Sequence, residues 1–348
     1  MSIGDTLTQN GQNCFGFIFI IYFVRKIARE LYRNFQICGD GIKLMPENIP
    51  VNWELSFKEI FQRCAKNQYS AIENILSFLS VSSLFIGGHG FFKTYAAFIL
   101  LGFGPNPLVC SIVFLISFSV YTLDKIADME KDITNMPQRH KFLHKRKRLI
   151  LFCAIASYFL AVSLTLLYSP IALPVVFIPF IANAFYATKI HRSLPRLKDI
   201  PVAKNLIVAL AWALVTTLLP AMFLDSVSNA TIMAVVYFML IKTLVDNVLY
   251  DIRDIKGDCE NGVKTMAVLL GKHKTVALLL GVNSTLLPIT AFLTIAAKPL
   301  AVALVIYGYL YIIYFRERRN PLALDFFVEG EWMLMAALLS FIKMGAGI

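Results

Sequence analysis

The stretch NPLVCSIVFLISFSVYTLDKIADMEKD (Asn106 to Asp132) joins a long apolar run to the aspartates Asp124, Asp128 and Asp132. The apolar part is long enough to cross a bilayer as a helix, which takes roughly 17–25 residues. Residues four apart lie above one another on a helix, so the carboxylates line one face and repel each other. The stretch therefore predicts a membrane helix with a cation site at its end.

A second acidic cluster follows a later apolar run. In YDIRDIKGD, Asp251, Asp254 and Asp258 take helical spacing directly after residues 229–249. Hard divalent cations prefer oxygen ligands, and Mg²⁺ usually shares them with the phosphates of a substrate. The two clusters together predict a magnesium-dependent phosphate chemistry.

The composition excludes a soluble domain. Of 348 residues, 57% are hydrophobic and 16% are charged, and the mean hydropathy is +0.66, whereas soluble domains are about 25% charged. We predict an all-α polytopic membrane protein with about nine transmembrane helices around a central cavity. The predicted spans are 73–91, 106–123, 149–168, 170–187, 205–224, 229–249, 274–296, 299–315 and 331–347.

Basic residues predict the topology. They concentrate in the loops after the even-numbered spans, while the opposite loops carry only Lys93 and Lys298. The positive-inside rule then places the amino terminus, the basic loops and both acidic clusters on the cytoplasmic side.

Residues 1–72 differ from the transmembrane domain predicted for 73–348. The run Cys14 to Val24 is short and is followed by basic residues, which is typical of a helix lying in the membrane interface. We therefore predict an amino-terminal interfacial, amphipathic segment.

The net charge of +11 indicates anionic partners. No nucleic-acid motif is present, so the cations are expected to meet lipid head groups or a phosphorylated substrate. The six cysteines lack metal-ligand or disulfide spacing, and no feature indicates an obligate protein partner.

The two acidic faces suit a diphosphate substrate. Magnesium ions between them would neutralise a leaving diphosphate as its bond to carbon breaks. If that bond is allylic, an apolar, water-poor cavity would let a lipophilic acceptor capture the resulting carbocation.

These motifs resemble those of the UbiA superfamily of intramembrane prenyltransferases. That family pairs NxxxDxxxD after its second span with DxxxD after its sixth, and Asp128, Asp132, Asp254 and Asp258 match, with Asp124 at the usual asparagine. The flanking segments agree as well, at Asn135, Pro137, Arg139, Tyr186, Lys189, Gly262, Lys264 and Thr265.

The resemblance implies Mg²⁺-dependent transfer of a polyprenyl group from a prenyl diphosphate to a lipophilic acceptor. We expect an aromatic, quinone-type acceptor, with a glycerol phosphate lipid as the alternative. Catalytic and metal-binding roles are expected for Asp124, Asp128, Asp132, Asp254 and Asp258, with Asp251 as a further metal ligand. Diphosphate binding is expected of Arg139, Lys189, Arg253 and Lys264, and Tyr121 and Tyr250 are the candidate cavity aromatics.

Two other functional classes also use carboxylates in a membrane protein. A phosphatidyl transferase acting on CDP-alcohols would need Asp-Gly-x-x-Ala-Arg, which neither cluster contains. A cation-coupled transporter would also use membrane carboxylates, although these cluster at one membrane face rather than at the midplane. Lys242 and Asp246, one turn apart in the sixth span, are predicted to neutralise each other.

Overall fold

The computed structural model describes residues 78, 82–127, 129, 137–187, 200–224, 226–260, 262–317 and 321–346. The predicted segment 1–72, together with Asp128, Asp132 and Lys189, lies outside these residues. Arg139 lies within a helix, but its side chain is not among those described.

The regular structure of the described residues is entirely helical, which confirms the predicted fold class. Two short 3₁₀ turns, Pro170–Ala172 and Thr290–Phe292, connect helices. The helices are α1 Leu84–Leu101, α2 Pro107–Ala127, α3 Pro137–Tyr168, α4 Leu173–Ala187, α5 Pro201–Ala221, α6 Asn229–Glu260, α7 Met266–Leu270, α8 Lys272–Ser284, α9 Leu286–Ile289, α10 Lys298–Tyr314, α11 Pro321–Val328 and α12 Glu331–Ala346.

Six segments of the described chain are long and apolar enough to cross a membrane. They are Leu84–Leu101, Pro107–Ala127, Leu143–Tyr168, Val202–Ala221, Asn229–Glu260 and Lys272–Phe292. The other three predicted spans coincide with shorter apolar helices, Pro170–Asn183, Lys298–Tyr314 and Glu331–Ser340. The protein is thus an integral membrane protein, and the count of nine spans stays a prediction.

The first span differs from its predicted bounds of 73–91. The helix continues to Leu101 and ends at Gly102, whose φ of 92° is a left-handed conformation that favours glycine. Lys93, which was expected in a loop, is therefore a buried residue inside α1.

Two apolar clusters form the core, and α1 and α5 contribute to both. One cluster is built on α6 with α8, α10, α11 and α12 and includes Ala97 and Ala213. The other unites α2, α3 and α4 and includes Phe98 and Trp212. Because adjacent residues of α1 and of α5 belong to different clusters, these two helices hold α2 and α6 in one bundle.

Gly90 allows α1 and α2 to approach closely. A Cβ atom at this position would lie 2.2 Å from Ser117 Oγ, so any larger residue would push α2 outward. Close packing at this point fixes the position of α2, whose C-terminal end carries the first acidic motif.

Charged side chains meet inside the bundle. Lys242 binds Glu331 (2.6 Å), while the Tyr311 hydroxyl accepts from Lys242 (3.0 Å) and donates to Asp246 (3.0 Å). The predicted pairing of Lys242 with Asp246 is thus indirect, because α10 and α12 supply nearer partners. Lys93 donates to the hydroxyl of Thr243.

Candidate active site

The first acidic motif begins beside a small cavity. Asp124 lies in the last turn of α2, half-buried, and with Tyr121 it lines a cavity of about 100 Å³ between α2, α4 and α5. The Tyr121 ring stacks on Trp212, with 5.3 Å between ring centroids and 9° between planes. The cavity therefore combines a carboxylate with a stacked aromatic pair that includes Tyr121, and the role of Tyr121 toward a substrate stays a prediction.

Asp251 in the second motif is buried and held by α5. Its Oδ1 accepts from Lys204 Nζ (3.1 Å) and its Oδ2 accepts from Asn205 Nδ2 (2.6 Å). Asn247 in turn donates to the backbone oxygen of Asn205 (3.3 Å). These contacts join the C-terminal end of α6 to the N-terminal end of α5, so both Asp251 oxygens already have partners.

Asp254 is half-exposed and forms an ion pair with its neighbour Arg253. The Arg253 guanidinium donates from Nε and Nη2 to the two carboxylate oxygens, each at 2.8 Å. A third nitrogen of Arg253 reaches Asp325 on α11 at 3.4 Å. Such bidentate pairs fix the orientation of both side chains. Arg253 therefore orients Asp254, in addition to its predicted role in binding diphosphate.

Tyr250 contacts both Arg253 and Glu329. The Arg253 guanidinium lies 4.8 Å above the centre of the Tyr250 ring, and the Tyr250 hydroxyl donates to Glu329 (3.0 Å). Burial, reinforced by the nearby Asp325, raises the pKa of Glu329 to about 8, while Lys125 opposes the shift. The expected cavity aromatic Tyr250 is thus engaged on its face and at its hydroxyl.

Asp258 completes the second motif. It is half-buried and interacts electrostatically with Lys204, Asp251 and Asp254, and the Thr265 side chain also acts on its carboxylate. Lys264 precedes Thr265 in the loop to α7 and is exposed. The structure therefore brings Asp251, Asp254, Asp258 and the predicted diphosphate residue Lys264 to the same end of α6.

The donor set suits magnesium shared with a substrate. Within the described parts of the chain, no three acidic, histidine or cysteine side chains form a ready-made metal site. Mg²⁺ is usually held by one or two carboxylates plus substrate phosphates rather than by a complete protein cage. The half-exposed Asp254 and the half-buried Asp124 and Asp258 offer such oxygen ligands.

A family model decides the identity. The model of the UbiA prenyltransferase family matches residues 75–338. This chain belongs to the UbiA prenyltransferase family. The prediction from the two acidic motifs is confirmed, and the protein is a membrane prenyltransferase.

Named relatives of this UbiA protein are archaeal enzymes. It is 27% identical over 215 residues to digeranylgeranylglyceryl phosphate synthase of Thermococcus gammatolerans, covering 60% of this chain and 73% of the relative. The enzyme of the same name from Pyrococcus abyssi is 28% identical over 190 residues, covering 54% of this chain and 64% of the relative.

A solved structure from a study of digeranylgeranylglyceryl phosphate synthase in membranes shares the fold. It superposes with a TM-score of 0.51 at 17% identity and covers 78% of this chain and 98% of that one. At this identity the likeness concerns the fold alone.

Sequence reasoning missed several residues of the site. Asp325 and Glu329 follow the basic loop four residues apart, a helical spacing that signals a shared face. Asn205 and Trp212 carried no such signal, because their roles depend on α5 packing against α6 and α2.

Proposed function

We propose that this UbiA prenyltransferase transfers a polyprenyl group from its diphosphate to the hydroxyl of a glycerol phosphate lipid. The observation that carries the reaction is the acidic end of α6, where Asp251, Asp254 and Asp258 gather beside the cation Lys204. The names of the two archaeal relatives favour this acceptor over the aromatic ring expected from the sequence.

The diphosphate would lie at the acidic end of the bundle. The proposed magnesium ligands are the motif aspartates Asp124, Asp128, Asp132, Asp254 and Asp258, with Asp251 as a further ligand. Bound Mg²⁺ supplies charge neutralisation for the departing diphosphate. Arg139, Lys189, Arg253 and Lys264 are the proposed cations that bind the remaining phosphate oxygens.

The chain's own residues would manage the carbon fragment. The bond from the first prenyl carbon to the diphosphate oxygen breaks, and its electron pair leaves with the diphosphate. The acceptor hydroxyl oxygen then forms the new bond to that carbon, and its proton passes to the released diphosphate. The stacked Tyr121 and Trp212 present aromatic faces that stabilise a nearby cation and help to exclude water.

The active end is proposed to face the cytoplasm. Exposed cations flank it at Lys145, Lys147 and Arg148 on α3 and at Lys264 after the second motif. Cytoplasmic loops are enriched in such residues. Water-soluble diphosphate could then leave directly into the cytoplasm.

The test is prenyl transfer by protein in nanodiscs. Geranylgeranyl diphosphate and longer homologues would be offered with a glycerol phosphate lipid or with aromatic acceptors, with and without Mg²⁺. We expect magnesium-dependent prenylated glycerol phosphate lipid that is absent in Asp128→Ala and Asp254→Ala. Product from aromatic acceptors alone would overturn the proposed acceptor, and magnesium-independent product would overturn the metal role.

A further inference from the structure

A second cavity, of about 290 Å³, lies on the side of α6 away from the acidic motif. It is lined by Ile252 and Lys256 of that helix. A helix turns by roughly 100° per residue, so these side chains point away from the face of Asp254 and Asp258. Arg253 is the residue that borders both sites.

The rim of this cavity is positively charged. Besides Arg253, the cations Lys256, Lys272 and Arg316 line it, with Glu317 as the acid among the lining residues. Lys272 pairs with Glu317 at 3.1 Å, and Lys256 reaches Glu260 at 4.0 Å with both side chains exposed. Arg316 makes no hydrogen bond or ion pair with the described residues, so its charge is available to a ligand.

The wall of the cavity is apolar. Leu249, Ile252, Phe315 and Leu324 are buried residues that line it. Only the rim can therefore satisfy a polar ligand, while the wall favours hydrocarbon.

An exposed apolar stripe leads to this rim. Ile306, Leu310 and Ile313 on α10 are 53%, 61% and 49% exposed, and the helix ends at Tyr314, two residues before Arg316. Leu269 of the short helix α7, which follows the lining residue Val268, is 59% exposed. In a membrane protein such surfaces contact acyl chains, so the cations stand where the lipid-facing surface ends.

We propose that this cavity binds the phosphate head group of an anionic phospholipid, with its acyl chains along the α10 stripe. Lys256, Lys272 and Arg316 would donate charge-assisted hydrogen bonds to the phosphate. The volume is close to the lower end of small-ligand pockets, about 300 Å³, so it fits a head group rather than a whole lipid. A free phosphate would use the cations but leave the apolar stripe unexplained.

The test measures lipid retention by native mass spectrometry. Protein would be released from vesicles of phosphatidylcholine containing phosphatidylglycerol, and the bound lipids would be identified. The triple variant Lys256→Gln, Lys272→Gln, Arg316→Gln removes three of the four rim cations and keeps every aspartate of the acidic motifs. The matched control Lys145→Gln, Lys147→Gln, Arg148→Gln removes three exposed cations of α3.

We expect wild type and control to retain phosphatidylglycerol and the rim variant to lose it on the order of 10- to 100-fold. Equal loss in both triple variants would overturn the site in favour of general surface attraction. Unchanged retention in the rim variant would also overturn it. Displacement of the lipid by soluble diphosphate would point to a free-anion site and overturn the lipid.

Two further measurements keep the result interpretable. The single variant Arg316→Gln should weaken retention in the same direction, so a folding defect of the triple variant does not remove the test. Magnesium-dependent prenyl transfer, assayed in neutral detergent, reports on the proposed function separately, because none of the three rim residues is proposed to bind magnesium or diphosphate.

Discussion

Lys242 Nζ lies 2.6 Å from Glu331 Oε1, and both side chains are completely buried although 89 residues separate them in the chain. The pair joins α6 to α12 and is extended by Tyr311, which accepts from Lys242 and donates to Asp246. Removing one member leaves an unpaired charge inside the bundle.

We therefore predict that Lys242→Met lowers the free energy of unfolding by about 3–5 kcal/mol. The double variant Lys242→Met, Glu331→Leu should regain most of this, since it leaves the opposite charges of Lys93 and Asp246. Thermal unfolding in detergent measures both. The exposed pair Lys272–Glu317 is the control, where Glu317→Gln should cost less than about 1 kcal/mol. A double variant no more stable than the single one would contradict this account.

The Asp325 carboxylate should affect magnesium through Arg253. Asp325→Asn weakens the anchor of the guanidinium, which then holds Asp254 less firmly. We expect the Mg²⁺ concentration for half-maximal prenyl transfer to rise roughly 10-fold, while the rate at saturating Mg²⁺ changes little. Asp325→Glu should recover part of the effect. A lower maximal rate with an unchanged magnesium requirement would show that Asp325 does not act through Asp254.

Two aspartates of the same motif should separate stability from activity. Asp251→Ala deprives Lys204 and Asn205 of a buried partner and should destabilise the protein by about 1–3 kcal/mol even without magnesium. Asp254 is half-exposed, so Asp254→Ala should change the free energy of unfolding by no more than about 0.5 kcal/mol while it abolishes prenyl transfer. Chemical unfolding and product formation, measured on each variant, decide the matter. Equal stability of the two variants would contradict the structural role of Asp251.

The Glu329 carboxyl should make stability depend on pH. Burial and Asp325 raise its pKa from 4.5 to about 8, and the attraction of Lys125 and the hydrogen bond from Tyr250 only partly oppose this, while Asp246 adds to it. Because the folded protein holds this proton more tightly than the unfolded chain, the unfolding free energy falls as pH rises from about 4.5 to about 8. Glu329→Gln should flatten this dependence. If the free energy of unfolding changed with pH equally in wild type and variant across this pH range, Glu329 would be excluded as the source of the pH dependence.

Much of the fold followed from local patterns in the sequence. Long apolar runs predicted the membrane helices, and helical spacing placed Asp251, Asp254 and Asp258 together at the end of α6. These signals are readable because bilayer thickness and helix period act on neighbouring residues. The membrane location was accessible for the same reason, whereas the family and the transferase activity came from the resemblance of the two acidic motifs to those of known prenyltransferases.

The first span shows where the pattern failed. The prediction ended it at residue 91 and placed Lys93 in the following loop, and a lysine inside a membrane helix is costly. The helix continues because Thr243 accepts a hydrogen bond from Lys93 and Trp332 lies under its charge, 5.4 Å from the ring centre. Neither partner is near Lys93 in the chain.

The sequence by itself determined the helices, the acidic faces and the family. Tertiary structure decided which charges meet: Asp251 with Lys204, Arg253 with Asp325, and Lys242 with Glu331, over 47, 72 and 89 residues of chain. Hydrophobic length and helical spacing are properties of one segment, whereas an ion pair depends on which faces of two helices pack together. That packing follows from side-chain fit, as at Gly90 against Ser117, and no local pattern contains it.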